Sequence, residues 1–319
     1  MTMDLRSLTY EPVIEKLNTL DQNLPPVRKR KRAFGKPLSD LGLLASMPPE
    51  LIQATLTQLD LQSLANLRMV NRQASSTVDS VPMLRAIVKH APHALRGALK
   101  IETAQYINCE TLHRTLHTTE CKTCGDFGTY IYLLTCERVC FSCLVYNRNY
   151  LPCDFTTPKK FEALRESLLD LPHMISLPGI YSPRKERCRK RLLWDRRSIL
   201  RDASDSIKAQ LEKIEGPYYT GVYADKTRCM AVVEILSLDA KTGLVIEGFH
   251  CLACRDSRSY GWNGQRFNPR RAFWSHSFEA HLVENGPIVE GRHEATNARQ
   301  YQARYRMTLA WNPFWDQST

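Results

Sequence analysis

The chain has 319 residues, 43% hydrophobic and 24% charged, which is enough apolar material for real cores and room for two or three small domains. No run of 18 or more uncharged apolar residues occurs, excluding a membrane-spanning helix, and residues 1–6 lack the apolar stretch of a secretory signal. The expected location is cytoplasmic and/or nuclear, where the eleven cysteines serve as thiols or metal ligands rather than disulfides.

A net charge of +11 permits acidic or nucleic-acid partners without naming one. In chain order, residues 1–38 read as a disordered basic tail. Pro25 and Pro26 precede five consecutive cationic residues, 28–32, which read as a nuclear-import signal, a basic arm or a plain solvated tail.

Residues 39–90 are dense in short helical signals. Pro48 and Pro49 suit a first turn, where the missing N–H would have no partner anyway. Leu51, Ile52, Thr55, Leu56 and Leu59 follow at helical spacing. Asp60 is a cap for a second helix with Leu61, Leu64 and Leu67. Val70, Asn71 and Arg72 begin a third, with Ala74 and Val78, and Pro82 opens another. Each is too short to be stable alone. Leftover apolar faces are expected to seek a partner, although a helical hairpin used only as core would explain the same leucines.

These residues resemble an F-box: Pro49 to Ile52, Leu56, Leu59 to Leu61, Leu64, Leu67, Val70 to Arg72 and Leu84 stand in the family's order and spacing. The sequence departs from the family at Asn71 to Ala74, where a tryptophan or another bulky residue is common. The resemblance implies a three-helix module that binds the Skp-type adaptor of a Skp–cullin–F-box ubiquitin ligase, with Pro49, Leu51, Ile52, Leu56, Leu59, Leu64 and Val70 as partner-binding residues.

Residues 91–155 hold a zinc-knuckle segment. Cys121 and Cys124 form one C-x2-C pair, Cys140 and Cys143 another, with fifteen residues between them. This is the spacing of a structural zinc site, in which a tight turn aims two thiolates at one ion and four thiolates leave no open position. Gly125 suits that turn, and residues 130–134 read as a strand joining the two pairs. Cys136 is a competing ligand; Cys109, Cys153, His113 and His117 are nearby spares. An F-box followed at once by such a cluster resembles a group of fungal F-box proteins, which implies a substrate adaptor with an unknown protein client.

Residues 156–216 read as a charged helical segment. Its 184–201 stretch is a basic helix carrying Leu192, Leu193, Trp194, Ile199 and Leu200, either a footprint for nucleic acid or, more simply, a solvated helix with a buried stripe. Residues 217–319 read as a β-containing module, with strands at 222–223, 232–236 and 244–246, a turn at 239–243 and a last helix near 294–310. Within it, Cys251, Cys254, His276 and His281 form a second candidate zinc set, with His250 and His293 as substitutes. The fungal group commonly has a cysteine shortly after His281, and this chain does not.

No nucleophile elbow, dinucleotide fingerprint, Walker loop or H-E-x-x-H run is present, so no catalytic residues are expected. The expected fold class is α+β, predominantly α: a three-helix F-box, a cysteine knuckle, a helical linker and a small β-containing C-terminal module. The leading functional expectation is a non-catalytic adaptor of a cullin ligase with structural zinc. The alternative is a zinc-containing nucleic-acid-binding protein using residues 28–32 and 184–201.

Overall fold

The structure, a computed structural model, describes residues 5–10, 17–27, 39–154, 168–182, 185–215, 226–255 and 271–293. It is α+β and predominantly helical, and it divides into two compact units. One comprises residues 14–247; the other joins residues 1–13 to residues 248–319. No helix among the described residues is long and apolar enough to cross a membrane.

The larger unit begins with helices whose ends follow the sequence signals. Pro49–Gln58, Pro82–His90 and Pro92–Lys100 each open on a proline, where no N–H partner is needed. Leu61–Val70 is capped by Asp60, which accepts from Ser63 N at 2.8 Å. Arg72–Ser80 is capped by Asn71, and Cys109–Leu116 by Asn108, each accepting from a backbone N–H at 2.7 Å. The second and third helices are cross-linked by the two-pronged Arg68–Asp79 ion pair, at 2.6 and 3.0 Å. Leu61 N donates to Ile107 O and Cys109 N to Leu59 O, which fastens the later helix against the first turn of this bundle.

The helices share one core with the cysteine segment. Leu56, Leu61, Leu64, Val78, Leu84 and Ile87 belong to the same buried cluster as Leu112, Ile131, Tyr132, Val139 and Val232. A three-stranded antiparallel sheet stands at its centre. Tyr130–Tyr132 pairs on one side with Glu137–Val139, which returns after a tight turn, and on the other with Val232–Glu234, from one hundred residues later. Arg138 projects from the hairpin and is buried. Its guanidinium donates to the carbonyls of Gly128, Thr115 and Leu236. A Cβ on Gly128 would stand 2.3 Å from Arg138 Cγ, so only glycine lets the arginine pass.

A second sheet in this unit sets Leu192–Trp194 between Cys153–Asp154 and His173–Ile175. Trp194 lies at its centre, fully buried, with its indole N–H on Leu168 O. This corrects the expectation of one basic helix over 184–201. Glu186–Cys188 and Leu192–Trp194 are strands, and the helix is only Arg196–Asp202. Asp195 explains the break: its carboxylate accepts from Ser198 N and Oγ as the N-cap, so the helix starts after it. Asp205–Glu215 follows as a second short helix.

The tail, too, differs from the disorder expected over 1–38. Leu20 is fully buried in the main core, and Asn18 exchanges two hydrogen bonds with Ser182. Leu17, Leu20 and Leu24 supply the apolar spacing that the tail's charge concealed. In the smaller unit, Thr9–Tyr10 is a strand. The basic run 28–32, the strand expected at 222–223 and the helix expected at 294–310 lie outside the described residues. The expected strands near 232 and 245 are present, and Asp239 organises the turn between Ser237–Leu238 and Val245–Ile246 through Lys241 N and Thr242 N.

Candidate metal centres and partner face

The first cysteine cluster is built from two local turns. Between Cys121 and Gly125 the chain folds back, with Gly125 N on Cys121 O at 3.0 Å and Gly125 at φ +78°, a conformation that favours glycine. Lys122 N donates to Arg138 O and ties this turn to the hairpin. Cys140 ends the hairpin and caps the helix Phe141–Tyr146, so Cys143 falls in the first helical turn with its N–H on Cys140 Sγ at 3.4 Å.

The four sulfurs of Cys121, Cys124, Cys140 and Cys143 lie within 4.8 Å of one another, with Cys124 and Cys140 at 3.5 Å. A tetrahedral ion with Zn–S bonds near 2.3 Å requires S···S edges of roughly 3.8 Å, so the set fits a zinc-sized ion. The mutual contacts of the four sulfurs pull the Cys121 thiol down and push Cys140 and Cys143 up, as expected of one tightly interacting set. Cys136 is not a competitor. It turns the hairpin at φ +54°, its sulfur lies beside Thr115, and burial pushes its thiol up to about 12. Cys109 and Cys153 are core residues. His113 and His117 bring their Nε2 atoms to 3.3 Å, and among the described residues no third ligand joins them.

In the smaller unit, Cys251, Cys254, His281 and His293 converge. Cys251 ends the strand Phe249–Cys251, Cys254 lies in the short helix Leu252–Arg255, His281 on the helix Ser275–Asn285 and His293 at the end of a hairpin. His276 is not the fourth member. Five residues on a helix amount to about 140° of rotation, so His276 is exposed beside Trp274 while His281 is buried. His250, the other substitute, points its Nδ1 at Arg271 O.

The helical face divides residues that sequence spacing had grouped. Leu51 and Val70 are 54% and 70% exposed, Pro49 is exposed, and Ile52 and Leu59 are half-buried. Leu56 and Leu64 are buried in the chain's own core, at 5% and 2% exposure, which corrects their assignment to a partner. The rotation argument again gives the reason: Leu56 lies five residues after Leu51 and faces the opposite way. Leu43 and Met69, 93% and 78% exposed, are further uncovered apolar side chains of the helical region beyond those singled out by sequence spacing. A cleft of about 800 Å³ runs beside it, lined by Leu41, Met47, Pro49, Ile52, Gln73 and Thr77.

Residues 44–85 match the family model of the F-box domain. No curated protein and no solved structure matches the chain. F-box domains in general belong to non-catalytic, substrate-recognition subunits of Skp–cullin–F-box ubiquitin ligases and bind Skp-type adaptors. The F-box here is continuous in its core with the knuckle rather than a bead on a linker. In the basic segment, Arg191, Arg197 and Arg201 form ion pairs with Asp154, Glu137 and Asp202, so these guanidiniums are engaged with carboxylates rather than left for phosphate.

Proposed function

We propose that the chain is a substrate receptor of a Skp–cullin–F-box ubiquitin ligase, acting in the cytoplasm and/or nucleus. Its F-box docks a Skp-type adaptor, the remainder of the chain reads an unidentified protein client, and Cys121, Cys124, Cys140 and Cys143 hold a structural zinc ion. The observation that carries the reading is the exposed apolar side chains of the F-box and its entry: Leu51, Met69 and Val70 within it and Leu43 just before it stay uncovered while Leu56, Leu61 and Leu64 are buried. A domain of this family with greasy residues left outside is equipped for a partner. The cluster's role is architectural, because four thiolates close the coordination sphere and its strands belong to the core the F-box shares.

The test uses the full chain co-expressed with a Skp-type adaptor. Leu51→Asp with Val70→Asp places two charges in a dry interface, which costs several kcal/mol, so co-purification should fall by at least about a hundredfold. Both sites are exposed, so melting temperature should change little. Undiminished adaptor binding by this double variant would reject the assigned face. Leu56→Asp is unsuitable, because it would unfold the domain instead.

A further inference from the structure

The four side chains of the smaller unit form a nearly regular figure. Cys251 Sγ to His293 Nε2 is 3.3 Å, Cys254 Sγ to His281 Nε2 is 3.5 Å, Cys254 Sγ to His293 Nε2 is 3.6 Å, and the two Nε2 atoms are 3.1 Å apart. A tetrahedral zinc with two sulfurs near 2.3 Å and two nitrogens near 2.0–2.1 Å needs edges of roughly 3.3–3.8 Å. The outer nitrogen of His293 is also served. His293 Nδ1 is 3.0 Å from Gly286 O, which accepts its proton and turns Nε2 toward the cluster. The Asn285 amide stands 2.9 Å from His281 Nδ1. Cys251, Cys254 and His281 are all buried, with Phe273 and Phe278 closing the site from one side.

The local chain explains how His293 arrives. The helix Ser275–Asn285 ends at Gly286, φ +81°. Ile288–Val289 then pairs with Arg292–His293 across Glu290 and Gly291, both at positive φ. That is a two-residue hairpin turn of the type with two left-handed central residues. The reversal returns His293 to the ring of His281.

The same unit contains the beginning of the chain. Thr9 stands opposite Cys251 and Tyr10 opposite His250 in an antiparallel ladder, with Ala272–Phe273 on the other side of that strand. Leu8 packs on the cluster of Cys251, Cys254, Phe273 and Phe278, and the Arg255 guanidinium lies 5.9 Å over the Tyr10 ring. Among the described residues that cluster has four buried members, two of them cysteines of the site. Where the ligands themselves form part of the core, metal-binding energy is folding energy.

We propose that Cys251, Cys254, His281 and His293 hold a second, structural zinc ion, and that this ion clasps the N-terminal strand Thr9–Tyr10 to the C-terminal module. The inference does not depend on the adaptor reading. Loss of the ion releases the strand, so segments about 240 residues apart in sequence are joined only while the metal is bound.

The experiment uses the full chain, measured for zinc per chain by native mass spectrometry and for backbone hydrogen exchange. Wild type should carry two zinc ions. His293→Ala and Cys254→Ser should each carry one, and His276→Ala should keep two. In His293→Ala, exchange at residues 9–10 and 249–251 should rise at least tenfold, with no change at 130–139. One ion in fully loaded wild type, two in His293→Ala, or one in His276→Ala would overturn the site. Unchanged exchange at residues 9–10 after loss of the ion would overturn the clasp. Should the variants be insoluble, cobalt titration of wild type decides: two equivalents, one with all-sulfur and one with mixed sulfur–nitrogen absorption, are expected, and a single all-sulfur band refutes the proposal.

Discussion

Replacing Arg138 with methionine tests whether a buried cation, rather than apolar packing alone, locks the knuckle to its surroundings. The side chain is 2% exposed. Nη1 reaches Gly128 O at 2.6 Å, and Nη2 reaches Leu236 O at 2.8 Å and Thr115 O at 3.1 Å. Those carbonyls belong to the loop before the central strand, the segment after Val232–Glu234 and the helix Cys109–Leu116. Burial lowers the guanidinium pKa to about 10, so it stays charged at neutral pH. Hydrogen bonds to a charged group contribute about 1.5–3 kcal/mol each, and three carbonyls lose theirs in Arg138→Met. Against this, the variant no longer desolvates a cation, a relief of several kcal/mol, and methionine fills most of the space. The net expected loss is about 2–4 kcal/mol, a large share of a domain's stability. Urea denaturation in excess zinc measures it. Arg138→Lys should be nearly as damaging, since one ammonium cannot span three elements. A loss below about 1 kcal/mol in Arg138→Met would refute the reasoning and leave packing as the sole fastening.

Two further outcomes follow from the geometry. Burial raises the Asp195 pKa, so the folded state holds that proton more tightly than the unfolded chain does; stability from this group is present at low pH and lost as pH rises from the ordinary aspartate range through the raised value. Asp195→Asn keeps an oxygen for Ser198 N but removes the buried charge. It should therefore stabilise the fold at neutral pH and do nothing below that window; an equal gain at both ends, measured by urea midpoints, would sink the assignment. Cys136→Ala should leave zinc per chain unchanged in native mass spectrometry, because its protonated sulfur sits beside Thr115 and outside the cluster; loss of an ion would return Cys136 to the ligand set.

What could be read from the sequence was local. Proline openings at 49 and 82 and the cap at Asp60 appear where they were expected, because each depends on chemistry within one turn. The same holds for the first cluster, whose two C-x2-C turns and intervening hairpin need no distant residue to make their shape. The strand Leu192–Trp194 was misread as helix because its partners, Cys153–Asp154 and His173–Ile175, are fixed by tertiary pairing that a charge pattern does not report.

Two of the site corrections, at Leu56 and His276, have one physical cause. Leu51 was grouped with Leu56, and His276 with His281, and each pair is five residues apart on a helix. Three or four residues bring side chains to one face, whereas five turn them about 140° apart. One member of each pair therefore enters the core and the other faces outward. That rule removes His276 and leaves His250 and His293 as the candidates for the fourth place. The replacement comes from beyond the helix, after a sharp reversal. The two residues Glu290 and Gly291 are a weaker turn signal than Asn-Gly or Asp-Gly, yet they return His293 to its place. Spacing offers His293 as a substitute but cannot choose it over His276 or His250, because the choice is made by a chain reversal beyond the helix end; that reversal, more than the cysteine pair, decides whether the smaller unit can hold an ion.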